Sequence, residues 1–334
     1  MDPLEPTSFN LKNITLATGR KYEYCDQTPT EYKHGETPIL LLLHGFPEFW
    51  YEWRYQIGPW VRRGWRVVVP NMLGYCGTDK PADPALYTPL SLSGEMPSFL
   101  DALDIKHPVV LVAHEWGSTV ACCFAMRYPE RTKALVSFSV LYQPAAPKAL
   151  TVSEVVEAVG NSWLGYWHFF TSDDASAKIQ SNIPLFIDAL YRSHKTVHPD
   201  LYGAGTIEKI LSGEIENPGP SDLMSDKERQ IYIKALETGG IDGPLNYFRQ
   251  ISHQFAIQEA LKSSFKPVCP ATLPILLLAA EHEPFGHPDI CERTKEFAPS
   301  VEIVRLDSAH FIMLEKRDEV TQRVGDWLEK VLTK

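Results

Sequence analysis

The sequence predicts an α/β protein, a doubly wound and mostly parallel sheet with a helical cap inserted in its middle. Three observations lead there. Short apolar runs recur towards both ends of the chain, helix-length stretches alternate with them, and from 142 to 266 the strand rhythm stops while helical patterns continue. A continuous apolar strand is what a sheet covered on both faces requires, and the alternation implies right-handed crossovers. The expected division is a core made of residues 1–141 and 267–334, with a helical cap at 142–266.

Ile39 to Leu43 is the first buried strand, and it runs into His44-Gly45-Phe46-Pro47-Glu48. Trp65 to Pro70 repeats the pattern and leads into a loop of turn formers, Asn71 to Pro81. Leu90 to Leu103 reads as a helix, most securely after Pro97, because proline suits a first helical turn better than an interior. Pro108 to Ala113 is a third strand, Ser118 to Tyr128 a helix stopped by Pro129, and Ala134 to Val140 a fourth strand. Within the insertion Ser176 to Arg192 and Ser225 to Thr238 are helix-length, with breaks at Asn217-Pro218-Gly219-Pro220 and Asp242-Gly243-Pro244. Pro274 to Ala280 and Val301 to Leu306 resume the strands, and Val320, Val324, Trp327, Leu328 and Val331 mark one face of a closing helix.

Composition narrows the function. A chain of 334 residues, 44% hydrophobic and 22% charged, is an ordinary globular protein of one large domain or one domain with an insertion. Its net charge of −10 argues against nucleic acid or an anionic membrane surface as partner, since both need basic patches. No apolar run is long enough for a membrane span. Met1 to Asn10 has neither a basic start nor an apolar centre, so no signal peptide is expected. The 6 cysteines are sparse for this length, which points to reduced thiols and a cytoplasmic location. The expected partner is a small apolar or aromatic molecule, given the rings gathered between Trp163 and Phe170.

The chemistry centres on Val110-Leu111-Val112-Ala113-His114-Glu115-Trp116-Gly117-Ser118. An apolar strand, a small residue, an apex and then glycine opening a helix have the shape of a nucleophile elbow, which needs small residues beside a strained apex. The apex is Glu115, a carboxylate. A parallel sheet places its sites at the carboxyl ends of the strands. There Glu115 is joined by the acids Glu281 and Glu283 after one strand and by His310 after the next, in the order nucleophile, acid, histidine. Glu283 is the preferred orienting acid and Glu281 the alternative; the histidine's other nitrogen then deprotonates water. The backbone N–H groups of Phe46 and Trp116 are the expected oxyanion donors. The same His44 to Pro47 run also reads as a tight turn with a cis Phe46–Pro47 bond, and the two readings are compatible.

With these residues in place the chain resembles the epoxide hydrolase family of α/β-hydrolases over nearly its whole length. The likeness rests on His44-Gly45-Phe46-Pro47-Glu48 with Trp50 and Trp53, Gly74 to Pro81, His114-Glu115-Trp116-Gly117, Tyr128-Pro129-Glu130-Arg131, Gly243-Pro244-Leu245-Asn246 and Ala309-His310-Phe311. The resemblance implies an α/β-hydrolase fold in which an elbow carboxylate attacks an epoxide carbon, two cap tyrosines donate to the ring oxygen and a histidine-activated water hydrolyses the ester. It implies no cofactor and no metal. Tyr166 matches the first tyrosine. The second falls at Phe248, with Tyr247 one residue early and turned by about 100° on a helix. His44, Phe46, Trp116, Phe248 and Phe311 are the expected oxyanion and substrate-binding residues. Glu115 stands where the family has aspartate, Asn71 where aspartate is common and Cys76 where glycine is. These departures keep two alternatives open: a lyase or cyclase using the same pocket for acid/base chemistry, and a catalytically silent ligand-binding relative. Dehalogenation is disfavoured by the cap tyrosine motif.

Overall fold

The computed structural model describes residues 1–139, 148–261, 267–283 and 290–333. Its strands are β1 (Leu11–Thr15), β2 (Lys21–Gln27), β3 (Ile39–Leu43), β4 (Arg66–Pro70), β5 (Val109–His114), β6 (Thr132–Phe138), β7 (Ile275–Ala280) and β8 (Val301–Leu306). They form one sheet in the order β1-β2-β4-β3-β5-β6-β7-β8. Pairing is antiparallel from β1 to β2 and from β2 to β4, and parallel everywhere else. Every residue of β3, β4, β5 and β7 is buried; their sequences are apolar but for Arg66, which pairs with Asp26, and His114. Each Leu or Val so buried contributes about 1.5–3 kcal/mol relative to exposure. The chain leaves β3 for β4 on one side and returns to β5 on the other, so the topological switch point lies at β3.

The core helices are α1 (Arg54–Arg62), α2 (Pro89–Ala102) and α3 (Trp116–Arg127). Helix α2 begins eight residues before Pro97, at Pro89, where Thr88 caps it by accepting from the Ser91 N–H. Pro97 therefore sits inside the helix rather than at its start. Burial of Leu90, Leu92, Met96, Phe99 and Leu100 on one face outweighs the lost backbone bond. The hairpin β1–β2 lay outside the sequence expectation because β1 is almost wholly exposed and β2 mixes charged with apolar residues.

Described residues 148–261 contain helices and no strand: α4 (Val152–Val159), α5 (Asn161–Leu164), α6 (Tyr166–Phe170), α7 (Ala175–Gln180), α8 (Ile183–Leu190), α9 (Thr206–Ser212), α10 (Asp226–Gly239), α11 (Asp242–Arg249) and α12 (Ile251–Leu261). The expected boundaries of the cap, 142 and 266, lie outside the described residues, as does Val140. Ser176 to Arg192 is two helices rather than one, because Asn182 interrupts the pattern and Pro184 restarts it in a first turn. The chain closes with α13 (Ile290–Phe297), α14 (Ile312–Glu315) and α15 (Arg317–Leu332).

Two contacts seat the helical insertion on the core. The Arg54 guanidinium on α1 donates from Nε to Glu228 Oε1 on α10 at 2.8 Å, and Tyr55 donates to the same oxygen at 2.6 Å. Burial alone would raise the Glu228 carboxyl; Arg54, Tyr55 and Ser225 overcome it and hold it down to about 2. On the far side Gly74, at φ 93°, meets Gly243 of α11 so closely that a Cβ would stand 2.8 Å from the Gly243 carbonyl carbon. Cys25, Cys76, Cys122, Cys123 and Cys269 form no disulfide, Cys122 Sγ lying 3.7 Å from Cys269 Sγ, and among the described residues no helix is long and apolar enough to cross a membrane.

Candidate active site

Strand β5 ends at His114, and the chain turns at once into α3 through Glu115 at φ 49° and ψ −120°, a left-handed conformation costly for a residue with a side chain. The turn is permitted by its glycines. A Cβ on Gly117 would lie 2.3 Å from the Leu43 carbonyl oxygen, and one on Gly45 would lie 2.6 Å from Glu115 Cβ. Since the obstructing group at Gly117 is backbone, Gly117→Ala is expected to cost about 1–3 kcal/mol, read as a lower midpoint in urea unfolding.

The extra methylene of Glu115 folds its carboxylate back over the turn. One oxygen, Oε2, accepts from the Trp116 N–H at 2.6 Å and from the Phe46 N–H at 3.1 Å. Phe46 is presented by the loop after β3, in which Phe46–Pro47 is cis and Gly45 N–H donates to Glu48 Oε2 at 2.8 Å. Dehydration by the surrounding rings raises the Glu115 carboxyl to about 8; the negative Glu48 adds to this, and the two N–H groups and His114 oppose it.

His310 follows β8 and is buried. Its Nδ1 lies 3.0 Å from Glu283 Oε1. Glu283 Oε2 accepts in turn from the Ser139 hydroxyl at the end of β6, and Ser139 Oγ is 3.4 Å from His310 Nδ1. A proton on Nδ1 shared with Glu283 makes Nε2 the basic nitrogen. Burial foremost, with His114 adding and Glu283 opposing, holds His310 below the usual imidazole range. Glu283 is held below the carboxylate range, against its burial, by His310 and Ser139. Glu281 is exposed, and its backbone N–H is spent on Leu306. Of the two acids Glu283 is the one that meets the histidine.

Beneath these groups lies a pair that the sequence reading passed over. His114 Nδ1 bonds to Glu48 Oε1 at 2.5 Å, and its Nε2 donates to the His310 carbonyl oxygen at 3.0 Å. Burial would lower His114, but Glu48 overcomes it and the imidazole rises to about 9, with both ring nitrogens placed as donors. The available hint was a glutamate in the loop after β3 and a histidine before the elbow, two polar groups in segments otherwise apolar enough to be buried. Buried charges are paired.

Glu115 and His310 face a small cavity of about 20 Å³, room for roughly one water. Its described walls include Phe46, Phe170, Phe248 and Phe311, and the tyrosines Tyr166 and Tyr202. Phe248 meets Phe46 and Phe170 with ring centroids at 4.9 Å in both cases. Tyr202 was not anticipated, because it comes from the α8–α9 connection, where nothing in the sequence marks an inward side chain. Three anticipated residues lie elsewhere. Tyr247 donates its hydroxyl to the Leu73 carbonyl at 3.1 Å and packs on Tyr87, the outward turn that its one-residue offset from Phe248 dictates. Trp116 contributes its backbone to the site, while its indole stands behind Phe248 at 5.6 Å. His44 is absorbed by the fold: Nδ1 donates to Gly45 O, Nε2 accepts from Met72 N, and burial pushes it down to about 4.

Parallel strands that end in an elbow, an acid and a histidine, in that chain order, are the plan of α/β-hydrolases. Comparison with known proteins agrees: a profile of the alpha/beta hydrolase fold family matches residues 38–317, and the chain belongs to that family. Its relatives within that family include epoxide hydrolases. The chain is 30% identical over 310 residues to Epoxide hydrolase 3 of Siraitia grosvenorii, covering 89% of this chain and 93% of that one. It is 28% identical over 331 residues to Bifunctional epoxide hydrolase 2 of Mus musculus, covering 98% of this chain and 57% of that one. The chain thus spans about half the length of the bifunctional relatives it matches. Among solved structures, Epoxide Hydrolase A from Mycobacterium thermoresistibile superposes with a TM-score of 0.79 at 26% identity, covering 96% of this chain and 98% of that one. The protein is an epoxide hydrolase-like member of the α/β-hydrolases.

Proposed function

We propose that the protein hydrolyses an epoxide carried by a small apolar or aromatic molecule, through an ester on Glu115, with residues 142–266 acting as the cap over the site. The observation that carries this reading is the pair of N–H groups on Glu115 Oε2. Oε1 attacks a ring carbon as the ring C–O bond breaks, and the leaving oxygen takes a proton donated by Tyr166. His310 Nε2 then removes a proton from water, the hydroxide adds to the Glu115 carboxyl carbon, and negative charge develops on Oε2. The Phe46 and Trp116 N–H groups already point there. Collapse releases the second diol oxygen, which takes the proton held by His310, and the carboxyl proton returns to Tyr166, so a vicinal diol leaves and the carboxylate is restored with one oxygen taken from water. A single turnover in oxygen-18 water, followed by mass spectrometry of the peptide holding Glu115, therefore labels the enzyme; an unlabelled peptide sinks the covalent route.

In this reading Tyr202, sharing the cavity with Tyr166, supplies the second hydroxyl that Phe248 lacks. Tyr166→Phe and Tyr202→Phe are each expected to lower kcat by roughly 10²–10³, whereas Tyr247→Phe leaves it unchanged, measured by steady-state kinetics on an aryl epoxide. A second reading follows from the Glu115 carboxyl being raised to about 8, which leaves it largely protonated at neutral pH and fit to donate a proton in a lyase or cyclase reaction. Products containing no added water decide for it.

A further inference from the structure

We propose that His194, His282 and Asp307 form a site for a divalent transition-metal ion of the zinc type, which clasps the cap to the two loops carrying the acid and the histidine. The three side chains come from separate parts of the chain, and no spacing in the sequence joins them. Their donor atoms all lie within 4.8 Å of one another. His282 Nε2 is 2.9 Å from Asp307 Oδ1, and His194 Nε2 is 3.7 Å from the same oxygen. The two imidazoles are stacked, with centroids 4.7 Å apart and planes 11° apart, so both nitrogens address one side.

Bound zinc takes nitrogen and oxygen at about 2.0–2.2 Å in a tetrahedron, which needs donors roughly 3.3 Å apart. Small rotations of His282 and Asp307 achieve this, since their side chains are 49% and 61% exposed. His194 is the fixed member. Its Nδ1 bonds to Glu315 Oε1, the carboxylate-to-imidazole bond that commits a histidine's other nitrogen to a metal. Glu315 is held in place because its Oε2 accepts from the Ala309 N–H at 2.8 Å. Two imidazoles and one carboxylate suit zinc, cobalt, nickel or copper better than magnesium or calcium. Lys316 lies 3.8 Å from the other Asp307 oxygen, where it leaves Oδ1 to the histidines.

The position gives the site its consequence. His194 belongs to the helical insertion, His282 precedes Glu283, and Asp307 lies three residues before His310. An ion there ties the cap to both catalytic loops and opposes its lifting.

The test uses the full chain, stripped by chelator and titrated with zinc sulfate by calorimetry, with cobalt(II) absorption as a second readout and magnesium as control. The expected result is uptake of one zinc ion, visible cobalt bands of low coordination number, and a raised melting temperature in zinc. All three are lost in His282→Gln/Asp307→Asn, whose exposed positions leave the fold undisturbed. Glu315→Gln is expected to weaken binding roughly 10–100-fold. No uptake by the wild type, or equal uptake by wild type and double variant, overturns the proposal. None of these readouts depends on which reaction the site carries out.

Discussion

Glu115→Gln is expected to abolish turnover, by on the order of 10⁴-fold or more in kcat, and at the same time to make the protein more stable at alkaline pH. The loss follows because an amide neither alkylates nor accepts a proton in its place. The gain follows from linkage. The carboxyl has an ordinary value of 4.5 and is raised to about 8 in the fold. Below 4.5 both states are protonated, and the contribution of this group to stability is complete. As pH rises from 4.5 through 8 the unfolded chain ionises first, and that contribution is lost. Glutamine removes the cost of holding the anion in the fold. Melting curves of variant and wild type should coincide near pH 4 and separate above pH 8, with the variant higher. In the wild type, kcat/KM should rise with pH through about 8 as the nucleophile ionises, while His310, held low by burial, is already neutral there. An activity that instead falls across that range marks Glu115 as an acid and favours the lyase reading.

The second large effect is expected from His310→Gln. In the proposed route ring opening needs Glu115 and the tyrosines but not the imidazole, whereas hydrolysis of the ester needs a base for water. The variant should therefore consume one equivalent of epoxide per chain and stop. Intact-protein mass spectrometry should show an increment equal to the whole epoxide, located on the Glu115 peptide. A His310→Gln enzyme that stays unmodified while wild type turns over would place the imidazole in the first step.

How far the sequence announced all this depends on what each residue touches. Strands β3, β4, β5 and β7 were plain because burial on both faces leaves almost only apolar residues. The elbow and the tight loop after β3 were plain because such turns demand particular small residues beside the apex. The β1–β2 hairpin was not, since an edge strand open to water carries no such constraint. Helix α2 ran through Pro97 because packing of its apolar face, which local propensity does not report, decided the matter. The partners of the site were hardest to see. Ser139, Tyr202 and the His114–Glu48 pair depend on where distant segments meet, and single residues at separations of tens of positions leave no periodicity to read. The offset of Tyr247 did foretell its fate, since a hydroxyl turned by one helical step reaches Leu73 and not the cavity.

The smallness of the cavity makes substrate capture a mechanical event. A ligand larger than one water needs more room than Phe46, Phe170 and Phe248 leave between them, and parting these rings breaks one tilted and one edge-on aromatic contact. The proposed route therefore predicts that the binding-competent form is a minority of the free protein, which lowers the affinity observed for an epoxide by that minority fraction. Association should be slow, insensitive to ionic strength and sensitive to the bulk of the substrate. Enlarging the chamber at Phe170 should improve capture before it affects chemistry.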